Sequence, residues 1–166
     1  MSKPAVMFVC VKNAGKSQMA AALMRELAGE RIDVYSAGTN PGDRLNDLSV
    51  QALAEAGAAI GDEHPKPIDP QLLDHVDVVV TLGREAHVDH GATLVQNWDT
   101  GEPSKRGIDG IERMRLIRDD IATRVKALGR VSHMAGPGDA RAEYDCGAVD
   151  DGELVVAGGQ RAPLFE

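Results

Sequence analysis

The stretch Cys10-Val11-Lys12-Asn13-Ala14-Gly15-Lys16-Ser17 stands between an apolar run, Ala5-Val6-Met7-Phe8-Val9, and a helical pattern that opens at Ser17. The apolar run reads as a buried strand over 5–9, and the pattern reads as a helix over 17–28. A tight turn between them aims the N–H groups of residues 11–17, and the positive end of the helix dipole, at one small volume suited to a tetrahedral oxyanion. Cys10 closes the strand and faces that volume. The field that binds an anion also stabilises a thiolate. An oxyanion site with a nucleophile at its base is a place for reaction as well as for docking.

Three readings of this loop compete. Residues 10–17 nearly spell the nucleotide loop Gly-x-x-x-x-Gly-Lys-Ser, with Cys10 in place of the first Gly. There Lys16 would reach nucleotide phosphates and Ser17 would bind Mg²⁺. The second reading is Cys-x5-Lys-Ser, an oxyanion loop built around a thiolate. The third leaves Cys10 as an inert buried residue, a common fate for cysteine. The second is preferred, because the missing Gly supplies backbone freedom that a Cys lacks. No apolar strand ending in Asp supplies a Mg²⁺-orienting carboxylate either. The best buried strand, 76–82, runs into Gly83-Arg84.

Outward from the loop, strands alternate with helices. Strand two falls at about 32–36, and a helix over 46–56 ends at Gly57. Asp69-Pro70 reads as the cap and first position of a short helix. Strand three, 76–82, is apolar nearly throughout, as a strand covered on both faces is. Thr93 to Trp98 is the fourth strand. The last helix carries Ile108, Ile111, Met114, Ile117, Ile121, Val125 and Leu128 at three- and four-residue spacing and stops at Gly129. This order predicts an α/β fold, one doubly wound domain with a four-stranded parallel sheet, whose ligands bind at the carboxyl ends of the strands. The domain spans 1–129, and 130–166 forms a Gly-rich extension that is a mobile tail, a dimer arm or a lid. Within it Leu154-Val155-Val156 reads as a short strand.

Composition bounds the rest. A chain of 166 residues fits one domain and buries a proper core. Aromatics make up only 3%, so that core is aliphatic. The formal net charge of −8 argues against nucleic acid as a partner. Half of it sits in 130–166, with seven acidic and three basic residues. No apolar run approaches the roughly 18 residues of a membrane span, and no signal peptide opens the chain. Two cysteines, Cys10 and Cys146, make no disulfide scaffold, so a cytoplasmic, reducing location is expected. His87 and His90 share a metal-like spacing but lack a third ligand, and no metal is expected. Cys146 is read as a bystander in the tail, with a resolving role as the alternative.

Several segments together resemble the low-molecular-weight protein tyrosine phosphatase superfamily, and most of all its arsenate reductase branch. These are Phe8-Val9-Cys10 with Asn13 and Gly15-Lys16-Ser17-Gln18-Met19-Ala20, then Tyr35-Ser36-Ala37-Gly38-Thr39 and Asp77-Val78-Val79-Val80-Thr81-Leu82. Trp98-Asp99-Thr100-Gly101-Glu102-Pro103 and Arg115-Leu116-Ile117-Arg118-Asp119-Asp120-Ile121 complete the set. The match runs in order over roughly 4–128. It implies that Cys10 is the nucleophile and that the N–H groups of Val11, Lys12, Asn13, Ala14, Gly15, Lys16 and Ser17 hold the oxyanion. It also implies that Asn13 turns the loop in a left-handed conformation and bonds within it; Ser17 is read as a further support, and Ser36 either as support from the second strand or as a buried, satisfied hydroxyl. Ser17 is also read as a cap of the first helix and a donor to the thiolate.

This chain departs from the family pattern in three places. Lys16 stands where the family has Arg, which exchanges a two-pronged grip for a single mobile charge. Glu102 stands where an Asp general acid is expected, with Asp99 as a fallback. The family's thioredoxin-coupled reductases carry two resolving cysteines after the third strand, and residues 83–90 here contain none. The resemblance therefore implies the mycothiol-dependent branch. No cofactor is bound there, mycothiol acts as co-substrate, and a mycoredoxin or glutaredoxin-like protein completes the reduction. Arg84 and Arg106 are candidates to recognise the thiol's carboxylate, and a homodimer is implied by the resemblance alone. In the expected reaction Cys10 attacks arsenate, Lys16 stabilises charge, and Glu102 or Asp99 protonates the departing hydroxyl. The alternatives are a tyrosine phosphatase and a non-catalytic oxyanion-binding or regulatory domain.

Overall fold

A computed structural model describes residues 3–88, 94–134, 154–156 and 160–162. Four strands, β1 (Ala5–Cys10), β2 (Asp33–Gly38), β3 (Val78–Leu82) and β4 (Leu94–Trp98), form one parallel sheet in the order β2-β1-β3-β4. Between and after them come α1 (Lys16–Ala28), α2 (Asp47–Glu55), α3 (Pro70–His75) and α4 (Gly110–Met134). In register, Cys10 lies beside Gly38, Val9 beside Thr81 and Leu82 beside Trp98. The carboxyl ends of all four strands thus share one edge, where the expected site residues meet.

Side-chain alternation along the strands divides the core between the two faces. Phe8, Val80, Leu82 and Trp98 pack with Met19 and Met24 of α1 and with Ile117, Ile121 and Val125 of α4. Met7, Val9 and Val79 pack with Leu73 and Val76 on the other face. Helices on both faces make the sheet doubly wound, as the alternating order predicts. Phe8 and Trp98 meet as a tilted pair with centroids 5.6 Å apart, a specific contact in a core that has few rings.

The local start signals act as their chemistry dictates. Asn46 caps α2 by accepting from the Ser49 N–H at 3.0 Å. Asp69 caps α3 by accepting from Gln71 N at 2.9 Å, with Pro70 in the first turn. The expected stop at Gly129 is corrected. Helix α4 runs through it to Met134, so a domain boundary at 129/130 would cut a continuous helix. The reason lies in packing against α1. A Cβ at Gly129 would stand 3.1 Å from Leu27 Cδ2, so the missing side chain lets the two helices approach. That contact overrides the weak helix propensity of glycine, about 1 kcal/mol below alanine.

The expected strand at Leu154–Val156 is present as β5 and pairs antiparallel with β6 (Gln160–Ala162). Cys146, His90 and Thr93 lie outside the described residues. Among the described residues no helix is long and apolar enough to cross a membrane.

Candidate active site

The loop between β1 and α1 is held by its carbonyls. Cys10 O accepts from Thr39 N at 3.1 Å, Val11 O from Asn40 N at 2.8 Å and Lys12 O from Gly42 N at 2.9 Å. Asn13 O accepts from Gln18 Nε2 at 3.1 Å, Ala14 O from Asn46 N at 2.8 Å and Gly15 O from Met19 N at 2.9 Å. The segment after β2 therefore runs alongside the loop and turns its carbonyls outward. The opposite poles of those peptides face inward. The N–H groups of Lys12, Ala14, Gly15, Lys16 and Ser17 donate to no protein acceptor among the described residues. An inward-facing set of free N–H groups at a helix start has the chemistry to hold an anion.

Gly38 makes the close approach feasible. A Cβ there would stand 2.8 Å from Val11 O and 3.0 Å from Asn13 Cβ. Asn13 is the hub of the loop. It is fully buried, with a left-handed φ of 51°, as expected. Its Oδ1 accepts from Gln18 Nε2 and from Lys66 N, both at 3.1 Å, and its Nδ2 donates to Ser17 Oγ at 2.8 Å. Ser17 Oγ also stands in hydrogen-bond contact with Cys10 Sγ at 2.9 Å, where either group can donate. The Asn13 N–H also points at that sulfur, at 3.2 Å. The Asn13 N–H and the Ser17 hydroxyl thus converge on Cys10, which is 8% exposed, and fix the position of its sulfur.

Two expected supports differ from this picture. Ser17 lies inside α1 and caps nothing. The cap position is Gly15, with no side-chain hydrogen bond, and the helix start is left open toward the anion volume. Ser36 gives the loop no hydrogen bond, because its buried hydroxyl has no partner among the described residues. What its segment contributes is the bare Cα of Gly38.

The two expected proton donors are held as carboxylates. Arg113 Nε donates to Glu102 Oε1 at 2.7 Å and Ser104 Oγ donates to the same oxygen at 3.0 Å. The Arg113 hydrogen bond is the main reason the Glu102 carboxyl falls from 4.5 to about 2. Partial burial opposes the shift, and Ser104 and the charge of Lys16 reinforce it. Asp99 Oδ2 accepts from Arg84 Nε at 2.7 Å and Oδ1 from Gly101 N at 3.1 Å. Those two bonds, with a contribution from Lys16, hold it below the ordinary carboxylate range. Lys16 thus faces both acids from the loop, as the fold predicts. Each expected proton donor is thus paired with an arginine that favours its carboxylate form.

Lys12 is exposed beside Gly42, and Arg106 is exposed at the end of the 3₁₀ turn after Pro103. Arg84 is committed to Asp99, and His87 is exposed nearby. Among the described residues no group of three or more His, Cys, Asp or Glu is placed to hold a metal. Reasoning from sequence overlooked Gln18, Gly38, Arg113 and the backbone of residues 39–46. Gln18 carried a signal, a polar residue beside Ser17 on a face that is otherwise buried. Arg113 carried none, because its partner lies across a loop.

Comparison with known proteins agrees with this geometry. A family model described as low molecular weight phosphotyrosine protein phosphatase matches residues 5–131. The chain is 32% identical over 140 residues to a protein named arsenate reductase from Bacillus licheniformis, covering 76% of this chain and 95% of that protein. It is 33% identical over 135 residues to the arsenate reductase of Halalkalibacterium halodurans, covering 77% and 96%. Among solved structures it superimposes on a thioredoxin-dependent arsenate reductase of Corynebacterium glutamicum with a TM-score of 0.68 and 30% identity. That match covers 81% of this chain and 64% of the other. An arsenate reductase in its phosphate-binding state also matches, with a TM-score of 0.68, 26% identity and coverage of 77% and 98%.

Gly38→Ala tests the close approach. The added methyl must push the loop, so phosphate affinity by calorimetry should fall at least about tenfold, with overpacking costing about 1–3 kcal/mol of stability. Unchanged affinity would show that Gly38 does not shape the site. The Glu102–Arg113 pair makes a separate prediction about pH. Because folding lowers the Glu102 carboxyl from 4.5 to about 2, its contribution is fully present above the higher value and is lost as pH falls through the lower one. Glu102→Gln should therefore destabilise the protein by about 1 kcal/mol or less at pH 7 in urea titrations, with the difference vanishing near pH 2.

Proposed function

Because this chain belongs to the low molecular weight phosphotyrosine protein phosphatase family, we propose that it reduces arsenate through the Cys10 thiolate and an external small thiol. One observation carries this reading. The free N–H groups of the loop and the sulfur of Cys10, itself held by Ser17 and Asn13, converge on one volume. The relatives that cover nearly their whole length with this chain are named arsenate reductases, which supports the choice of oxyanion.

Arsenate enters with its oxygens toward the free N–H groups of Lys12, Ala14, Gly15, Lys16 and Ser17, and Lys16 adds a positive charge to the developing anion. Cys10 Sγ attacks arsenic, forming an S–As bond as an As–O bond breaks. Starting from the monoanion, the departing oxygen leaves as water with protons that arsenate itself carries. The locked carboxylates of Glu102 and Asp99 are then not needed as donors. An external thiolate next attacks arsenic, takes over the S–As bond and returns Cys10 as thiolate. A redoxin thiolate attacks the sulfur of that conjugate, forming a mixed disulfide while arsenic takes the electron pair and leaves as arsenite.

The absence of cysteine from residues 83–90 supports an external thiol, and mycothiol with a mycoredoxin is the form proposed. The Corynebacterium structure supports a second route, because its description names thioredoxin as the reductant. In that route the chain's other cysteine, Cys146, would be the resolving thiol.

Arsenate turnover is measured with mycothiol and its redoxin, glutathione and glutaredoxin, or thioredoxin, beside sustained aryl phosphate hydrolysis. The expected result is turnover with mycothiol alone and none in Cys10→Ser. Turnover with thioredoxin that Cys146→Ser abolishes would replace the external thiol with the second route. Sustained phosphate hydrolysis without any thiol would make this a phosphatase, and silence in every assay would leave an oxyanion-binding domain.

A further inference from the structure

We infer that Arg113 decides which leaving groups this site expels. By pairing with Glu102 through Nε, it holds that group as a carboxylate with no proton to pass to a departing alkoxide or phenoxide. The chemistry is thereby confined to oxyanions that bring their own protons. The inference rests on Cys10 as nucleophile in the reaction proposed above.

The geometry is that of a clamp. Glu102 stands at the entry to the 3₁₀ turn Pro103–Arg106, one residue before Pro103, and Arg113 reaches it from the first turns of α4. Both hydrogen bonds, from Arg113 Nε at 2.7 Å and from Ser104 Oγ at 3.0 Å, fall on the same oxygen. The charges that act most strongly on Glu102 are positive. Arg113 acts from α4 and Lys16 from the start of α1, while Asp109 acts on Arg113 and favours its charge. The second carboxylate cannot take over. Both oxygens of Asp99 are engaged, by Arg84 and by Gly101 N, and its carbonyl accepts from Arg124 Nη2 at 3.1 Å.

The consequence follows from proton bookkeeping. Thiolate attack on the arsenate monoanion releases water, with both hydrogens supplied by the substrate. Thiolate attack on a phosphate monoester forms an S–P bond and releases an alkoxide or phenoxide, whose proton must come from a neighbouring acid. A stable leaving group such as 4-nitrophenolate departs without that proton, whereas phenolate needs it. A positioned general acid contributes about 10²- to 10⁴-fold in such steps, so the clamp sets a large difference between the two esters.

The experiment is single-turnover release of phenol from phenyl phosphate and of 4-nitrophenol from 4-nitrophenyl phosphate, read from mildly acidic to neutral pH. Wild type, Arg113→Met, Glu102→Gln and the double variant are compared. Wild type should release 4-nitrophenol far faster than phenol, and Glu102→Gln should leave that ratio unchanged. Arg113→Met should raise phenol release at least about tenfold relative to 4-nitrophenol. That gain should fade as pH rises past the range of a free carboxyl, and the double variant should lose it. Arg113→Lys, which keeps the charge without the planar fork, guards against misfolding of the Met variant and should shift the ratio in the same direction by less. An unchanged ratio in both Arg113 variants overturns the inference. So does a slowing of phenol release by Glu102→Gln alone, or no release of either phenol from any variant. Failure of the arsenate reading shows separately, as wild-type silence toward arsenate with every thiol while the ester ratio still responds to Arg113.

Discussion

The constraint on which the site depends is the outward turn of six consecutive carbonyls, Cys10 to Gly15, each tied to a donor outside the anion volume. A peptide that points its C=O one way points its N–H the other. Fixing the acceptors therefore orients the donors before any anion arrives. Most of this grip comes from backbone N–H groups of residues 39–46, which explains why a segment with few reactive side chains matters. The rest comes from the buried Gln18 amide, which holds Asn13 O, and from Met19 N of α1, which holds Gly15 O. Preorganised donors of this kind cost nothing to reorient at the moment of reaction.

The same loop sets the charge balance above the sulfur. Lys16 opens α1 and faces Asp99 and Glu102, and each acid has an arginine of its own. The cations thus outnumber the acids around the mouth, although the chain as a whole carries a formal charge of −8. On the proposed function, an incoming oxyanion would meet these cations against an acidic background. Three arginines hold the acid loop, since Arg113 and Arg124 tie it to α4 and Arg84 ties it to the end of β3.

Much of this was legible from the chain alone, for identifiable reasons. The apolar runs of β1 and β3 and the long periodic face of α4 are strong local signals, and they place Cys10 at the carboxyl edge of the sheet. Asn13 announced its left-handed turn because few side chains tolerate one. Gly129 misled, since a helix-stopping residue is also the residue that lets two helices touch. Ser36 misled in a related way. Its segment supports the loop, but through the space that Gly38 leaves empty. The clamp between Arg113 and Glu102 left no trace in spacing, because a loop and a distant helix were brought together only by folding. The family of the chain was legible because its motifs are spread over five segments in a fixed order.

The central claim is that an oxyanion seated among the loop's N–H groups covers the sulfur of Cys10. The most direct measurement is the rate of iodoacetamide alkylation of Cys10 and of Cys146, read by mass spectrometry with and without arsenate or phosphate. The account predicts that either anion at saturation slows alkylation of Cys10 at least about tenfold and leaves Cys146 unchanged. Equal alkylation of Cys10 with and without the anions would contradict it.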